Sequence, residues 1–128
     1  MDRLDEMFNK QEELQQALGY IFEYMNTEER VDYIKEYSLH LEHELHEMLQ
    51  ELPFFKSWKV YPEDEQTTAD KFRAAQQEWA DVTHFFLNVS LALGFNAEYL
   101  MWLFLDKNAI NHNRQQKADY KRCVEEHK

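Results

Sequence analysis

Apolar residues recur at helical spacing along most of the chain. They lie three or four positions apart over residues 5–25, and a second such stripe follows over residues 27–52, ending before Pro53. This spacing places the apolar side chains on one face of a helix, so it predicts two amphipathic helices. Asn26 or Thr27, followed by acidic residues, suits the N-terminus of the second helix.

The most apolar stretch, EWADVTHFFLNVSLALGF, covers residues 78–95. It belongs to a third predicted helix over residues 68–94, which is apolar on nearly every face beyond Trp79. A helix of this kind is normally buried, so we expect it at the centre of the fold. Gly94 suits its C-terminus.

A fourth helix is predicted over residues 97–113, and residues 115–128 form a polar tail. Between the second and third helices, residues 53–66 mix aromatic and charged side chains with Pro62, which is typical of a loop that holds large side chains. Only two glycines and two prolines occur in 128 residues, so a β architecture has little support. We therefore predict an all-α bundle of about four to five helices, forming a single domain over residues 1–128.

The charge balance limits the classes of partner. Acidic residues outnumber basic ones by 25 to 14, which gives a formal net charge of −11 at pH 7. Such a charge repels a nucleic-acid backbone. No apolar run is long enough to cross a bilayer, and a single cysteine, Cys123, excludes an intrachain disulfide. We expect a cytoplasmic protein with neither a nucleic-acid nor a membrane partner.

Two carboxylate pairs provide the candidate chemistry. Glu78 and Asp81 lie three residues apart at the start of the apolar stretch, and Glu44 and Glu47 have the same spacing beside the stripe of the second helix. If the two helices pack together, four anions share one site, and only a cation would compensate them. Carboxylate oxygens favour Mg²⁺ or Mn²⁺, so a metal site is predicted between the two central helices. The alternative is that both pairs are solvated surface charges.

Other polar residues on the predicted helices admit a functional and a structural interpretation. Lys107, Asn111 and Arg114 recur along one face of the fourth helix, where they suit a polyphosphate or a solvated basic face near a helix C-terminus. On the third helix, His84 is either a core histidine or part of a site. Asn88 either contacts a nucleotide base or bonds the backbone.

Four short motifs, in order, resemble those of the all-α nucleotide pyrophosphatases. Within that superfamily the sequence is most similar to the dimeric dUTPases, including the bacteriophage dCTPase/dUTPase enzymes, which LGFNAEYL (93–100) also resembles. The resemblance covers about residues 8–120. The motifs are ELHE (44–47), FKSW (55–58), EWADVTHFFLNVSLALG (78–94) and KNAINHNRQ (107–115), followed by Tyr120.

The resemblance implies a Mg²⁺-dependent enzyme that hydrolyses dUTP to dUMP and pyrophosphate. The similarity to the phage enzymes adds dCTP as a second candidate substrate, and Mn²⁺ is the alternative metal. It implies a homodimer or larger homo-oligomer, encoded by a bacterium or a phage. The implied site residues are the metal ligands Glu44, Glu47, Glu78 and Asp81, the phosphate contacts Lys107, Asn111, Arg114 and Tyr120, and the base contacts Gln11 and Trp58. His84, a further candidate for substrate binding, belongs to a His-Phe element that is similar to the family's.

The sequence departs from the family at its C-terminal motif. RQQKADY, residues 114–120, lacks the family's glycine and has one extra residue between Arg114 and Tyr120.

Among the carboxylates, Glu47 lies furthest from the apolar stripe, so we predict that it accepts the proton of the attacking water. Two alternatives stay open: a MazG-like pyrophosphatase for other nucleotides, and a non-catalytic helical interaction protein.

Overall fold

The computed structural model describes the backbone of residues 2–126 and the side-chain surroundings of residues 2–118. No strand occurs within these residues, and the predicted all-α class is confirmed. No helix in the described part of the chain combines the length and the apolar character that a membrane span requires. The elements are α1 (Arg3–Ala17), a short 3-10 helix (Phe22–Tyr24), α2 (Thr27–Glu51), α3 (Glu65–Ala92) and α4 (Ala97–Glu126).

The chain forms two compact units, Met1–Gly94 and Phe95–Lys128. In the first unit α2 packs along α3, and α1 packs against α3. The second unit consists mainly of α4. That the whole chain behaves as one domain stays a prediction.

Two helix ends lie far from the predicted ones, and α3 begins at Glu65, three residues before its predicted start. α1 ends at Ala17 rather than near Met25, because Gly19 adopts a left-handed backbone with a φ of 97°, which a helix does not continue through. The apolar pattern continues past this point, and one of its residues, Phe22, is buried although it belongs to the 3-10 helix and not to α1. α4 does not end near residue 113 but extends to Glu126. No glycine or proline interrupts residues 114–126, and polarity alone does not end a helix.

The predicted start of α2 is confirmed at Asn26. Its side-chain oxygen accepts a hydrogen bond from the Glu29 backbone N–H at 2.8 Å, and the Glu29 carboxylate accepts one from the Asn26 N–H at 3.3 Å. This reciprocal pair is a capping box, which satisfies two backbone donors at the helix N-terminus. At the start of α3 the Asp64 carboxylate accepts hydrogen bonds from the Thr67 hydroxyl and from the backbone N–H groups of Thr67 and Gln66, and these bonds lower the pKa of Asp64.

α3 is the central helix of the first unit and provides most of its buried residues. Val82, Leu87 and Leu91 of α3 are buried with Phe8 of α1 and Tyr33 of α2. Not every apolar residue of α3 is covered, however. Exposed fractions between 45% and 52% remain at Phe72, Trp79 and Phe86, and Leu93, directly after the helix, is 58% exposed.

Buried polar contacts fix how the three helices of the first unit meet. The Tyr33 hydroxyl donates to Gln15 Oε1 at 2.8 Å, which joins α2 to α1. Burial raises the pKa of Tyr33, so the hydroxyl keeps its proton and remains a donor. The Arg30 guanidinium donates to the backbone oxygens of Phe22, at 2.6 Å, and of Ala92, at 3.1 Å. Arg30 therefore ties the last turn of α3 to the start of α2.

Candidate metal and nucleotide site

Three glutamates from two helices meet where α2 packs against α3. Glu44 and Glu47, one turn apart on α2, face Glu78 of α3, and one carboxylate oxygen from each lies within 4.8 Å of the other two. All three residues are half-buried. Within the described residues this is the one group of acidic, histidine or cysteine side chains close enough to hold a metal ion.

The cluster carries more negative charge than its surroundings compensate. Glu44 Oε2 is buried and has no hydrogen-bond partner among the described residues. A hydrogen bond with Glu44, partial desolvation and repulsion by Glu47, Glu44 and Asp81 raise the pKa of Glu78. An uncompensated carboxylate oxygen beside two further carboxylates is a set of hard ligands that fits Mg²⁺ or Mn²⁺.

Asp81 lies one turn beyond Glu78 on α3. Its side chain is exposed and does not belong to the group of three within 4.8 Å. Its negative charge nevertheless contributes to the raised pKa of Glu78, so it acts on the same site. The structure thus brings together three of the four predicted ligands and leaves the fourth at the edge.

His43 contacts the cluster, a role that was not predicted from the sequence. Its Nε2 lies 2.9 Å from Glu47 Oε1. The spacing of His43 and Glu47 indicates this contact, because residues four apart on a helix are neighbours. The other two histidines of α2 have different partners: His40 lies near Glu36, and the His46 ring packs against Phe55.

Gln11 of α1 is held by two residues of α3. Its side chain is only 4% exposed. The Nε2 group donates to Asn88 Oδ1 at 2.6 Å, and Oε1 lies 2.7 Å from His84 Nδ1. Because an amide oxygen can only accept, His84 Nδ1 carries the proton in this contact. Both ends of the Gln11 amide are therefore engaged, and its orientation is fixed.

A cavity of about 420 Å³ opens beside Gln11 and His84, between α1 and α3. Its walls are mostly apolar, with a few polar groups, as is common for sites that bind small molecules. Asn88 is 2% exposed and lies behind Gln11 rather than at the cavity wall. The lining residues are Met7, Lys10, Gln11, Leu14, Ala80, Thr83, His84 and Leu87.

The loop between α2 and α3 is organised around Tyr61. The Tyr61 hydroxyl accepts a hydrogen bond from the Lys56 backbone N–H at 3.2 Å, and its ring packs against Phe54. Phe54 has a φ of 64°, a left-handed conformation that is unusual for a bulky residue. Trp58 lies on this loop with 81% of its surface exposed.

The predicted phosphate contacts belong to the second unit. α4 is continuous through Lys107, Asn111 and Arg114, so these exposed residues follow one another along about two turns of one helix. The side chain of Tyr120 lies outside the described side chains.

Comparison with known proteins gives one match. The family model described as dUTPase matches residues 3–93, which span α1 to α3 and include the three clustered glutamates and Gln11. No curated protein and no solved structure matches the chain. The match indicates a dUTP diphosphatase-like enzyme rather than a non-catalytic interaction protein. Because the match covers more than two thirds of the 128 residues, the chain belongs to the all-α dUTPase family.

Proposed function

We propose that the protein hydrolyses dUTP to dUMP and pyrophosphate in a Mg²⁺-dependent reaction. The observation that carries the proposal is the cluster of Glu44, Glu47 and Glu78, with its unpartnered buried oxygen, in a chain that belongs to the dUTPase family. Members of this family are generally dependent on divalent metals. Mn²⁺ shares the ligand preference of Mg²⁺ and should replace it.

The three glutamates are the residues that would hold the metal, with Asp81 as a fourth ligand one turn away. A bound divalent cation would supply charge neutralisation for the phosphates and a more acidic water. The raised pKa of Glu78 disfavours its ionised form, which a cation needs as a ligand. Metal binding should therefore release protons when Glu78 is partly protonated.

Glu47 is our candidate for the group that accepts the proton of the attacking water. Its side chain is 42% exposed, so water can reach it, and one of its oxygens already contacts His43. A carboxylate that does not give both oxygens to a metal keeps a lone pair for a proton.

The cavity beside Gln11 and His84 is our candidate for the base site. Rotating the Gln11 amide to suit another base would break its bonds to both Asn88 and His84. An amide with a fixed donor and a fixed acceptor favours either uracil or cytosine, because the other base would leave buried polar groups unpaired. With the dUTPase family match, this supports uracil as the preferred base, with dCTP a slower substrate. Trp58 is an exposed aromatic residue suited to cover the ring.

Lys107, Asn111, Arg114 and Tyr120 of α4 are our candidates for the triphosphate contacts. A guanidinium and an ammonium in a chain with a net charge of −11 are well suited to hold phosphate oxygens.

We further propose that the enzyme is a homodimer or larger homo-oligomer. Several large apolar residues stay exposed on each unit, and exposed apolar surface is commonly covered in an interface. They include Phe72, Trp79 and Phe86 on α3, Leu93 directly after it, and Tyr99, Met101, Trp102, Phe104 and Leu105 on α4.

A panel of nucleoside triphosphates, assayed for pyrophosphate release with Mg²⁺ and again with a chelator, tests the proposed function. We expect dUTP to be hydrolysed fastest, dCTP more slowly and purine nucleotides poorly, with all activity lost in the chelator. A preference for dATP or dGTP would contradict the uracil assignment and favour the MazG-like alternative. Absence of pyrophosphate with every nucleotide would contradict the reaction itself.

A further inference from the structure

His43 is the one basic residue that contacts the carboxylate cluster within the described residues. Its Nε2 lies 2.9 Å from Glu47 Oε1, a normal hydrogen-bond distance. The two residues are four apart on α2, so the contact follows from the helix itself and does not depend on a distant element. An imidazole N–H that donates here occupies one of the two oxygens of Glu47.

The contact distinguishes the two oxygens of this carboxylate. Oε1 is engaged by His43, so Oε2 is the oxygen that this contact does not occupy, and turning the carboxylate out of this orientation would break the hydrogen bond. Metal-ligating carboxylates are commonly held by such outer hydrogen bonds, which fix their orientation. Glu44 and Glu78 contact each other instead, which leaves both of them facing another acid.

A second histidine–glutamate pair on α2 shows that the spacing alone is not enough. His40 Nε2 lies 3.7 Å from Glu36 Oε1, which is too long for a hydrogen bond. Neither residue of this pair belongs to the cluster of acidic residues. His40 therefore provides a matched control on the same helix.

We infer that His43 is a positioning residue. It donates from Nε2 to Glu47 Oε1 and so would leave Glu47 one unoccupied oxygen for a metal or for the attacking water. The inference rests on the proposed function, because it requires that Glu47 acts at a metal-dependent site. It does not require His43 to change its charge, since the neutral ring supplies the N–H.

The test compares His43→Ala, His43→Gln and the control His40→Ala. His43→Ala should lower kcat for dUTP about tenfold while KM changes less than about twofold, and should weaken Mn²⁺ binding to the nucleotide-free protein about tenfold, as expected for an outer hydrogen bond to a ligand. Glutamine carries an amide N–H that can reach the residue four positions on, so His43→Gln should recover most of both losses. His40→Ala should match the wild type.

A measurement on the free protein tests the hydrogen bond directly. Nitrogen NMR of the wild type, recorded where the ring nitrogen shifts show a neutral His43, should place its proton on Nε2. The proton on Nδ1, or His43→Ala with wild-type kcat and Mn²⁺ affinity, would overturn the role of His43 alone. A wild-type protein that neither binds Mn²⁺ nor hydrolyses dUTP would overturn the proposed function, and with it this role.

Discussion

Replacement of Glu78 by glutamine should lower kcat for dUTP by about a hundredfold or more, while the protein stays folded. Removing one group that stabilises transition-state charge typically has an effect of this size. Glutamine has almost the same volume as glutamate but lacks the charge that a cation needs, so the packing of α3 against α2 should be kept. Glu42→Gln is the matched control, since Glu42 is an exposed residue of α2 outside the cluster.

The same substitution should stabilise the metal-free protein near neutral pH. The pKa of Glu78 is raised in the folded state, so the folded protein binds a proton there more tightly than the unfolded chain does. Stability without metal should therefore fall as pH rises from the ordinary glutamate pKa towards the raised one. Glu78→Gln removes this loss, and its melting temperature should exceed that of the wild type at a pH of about 7, by a margin that shrinks towards a pH of about 4.

Melting curves with and without Mg²⁺ separate the two effects. The wild type should gain stability from the metal, because a ligand that binds only the folded state shifts unfolding. The variant should gain less. Near wild-type turnover by purified Glu78→Gln, or an equal gain from Mg²⁺, would exclude Glu78 as a metal ligand.

Replacement of Gln11 by alanine should have the second large effect. It removes the buried partner of both Asn88 Oδ1 and His84 Nδ1. Asn88 is buried, and leaving a buried polar group unpaired costs about 1–3 kcal/mol, whereas the exposed His84 can bond water instead. We therefore expect the free energy of unfolding to fall by about 2 kcal/mol. If the amide also faces the base, kcat/KM for dUTP should drop about tenfold or more, which corresponds to about 1.4 kcal/mol.

Chemical unfolding and steady-state kinetics on the same preparation distinguish the two roles of Gln11. Gln16→Ala is the control, because Gln16 is an exposed residue of α1 whose amide bonds only its neighbour Glu12, at 3.3 Å. A variant that loses stability but keeps its kcat/KM and its preference for dUTP over dCTP would show that Gln11 supports the fold and does not contact the base.

Much of the site follows from helical spacing. Glu44 and Glu47, three residues apart, must share one side of α2, and the apolar residues beside them decide that this side faces α3. The meeting of this pair with Glu78 is therefore predictable from the spacing of apolar and acidic residues. The exposure of Asp81 is not predictable from this spacing, because a difference of one turn in how two helices meet decides which side chains reach the interface.

Contacts between distant residues were beyond what the sequence could indicate. Asn88 and Gln11 are separated by 77 positions, and only the packing of α1 on α3 shows that they bond each other. Arg30 and Ala92 are 62 positions apart, and no spacing of residues in the sequence indicates their contact. The end of α1, by contrast, was signalled by Gly19, but the apolar pattern running through it to Phe22 hid the break.

Hydrolysis of dUTP in water enriched in oxygen-18 tests the central claim most directly. If water attacks the α-phosphorus at the carboxylate cluster, mass spectrometry should find one heavy oxygen in dUMP and none in pyrophosphate, and only when Mg²⁺ or Mn²⁺ is present. Glu78→Gln should form labelled dUMP at no more than about a hundredth of the wild-type rate. Heavy oxygen in pyrophosphate, release of single phosphates, or labelled dUMP formed equally well without a divalent metal would contradict the proposed chemistry.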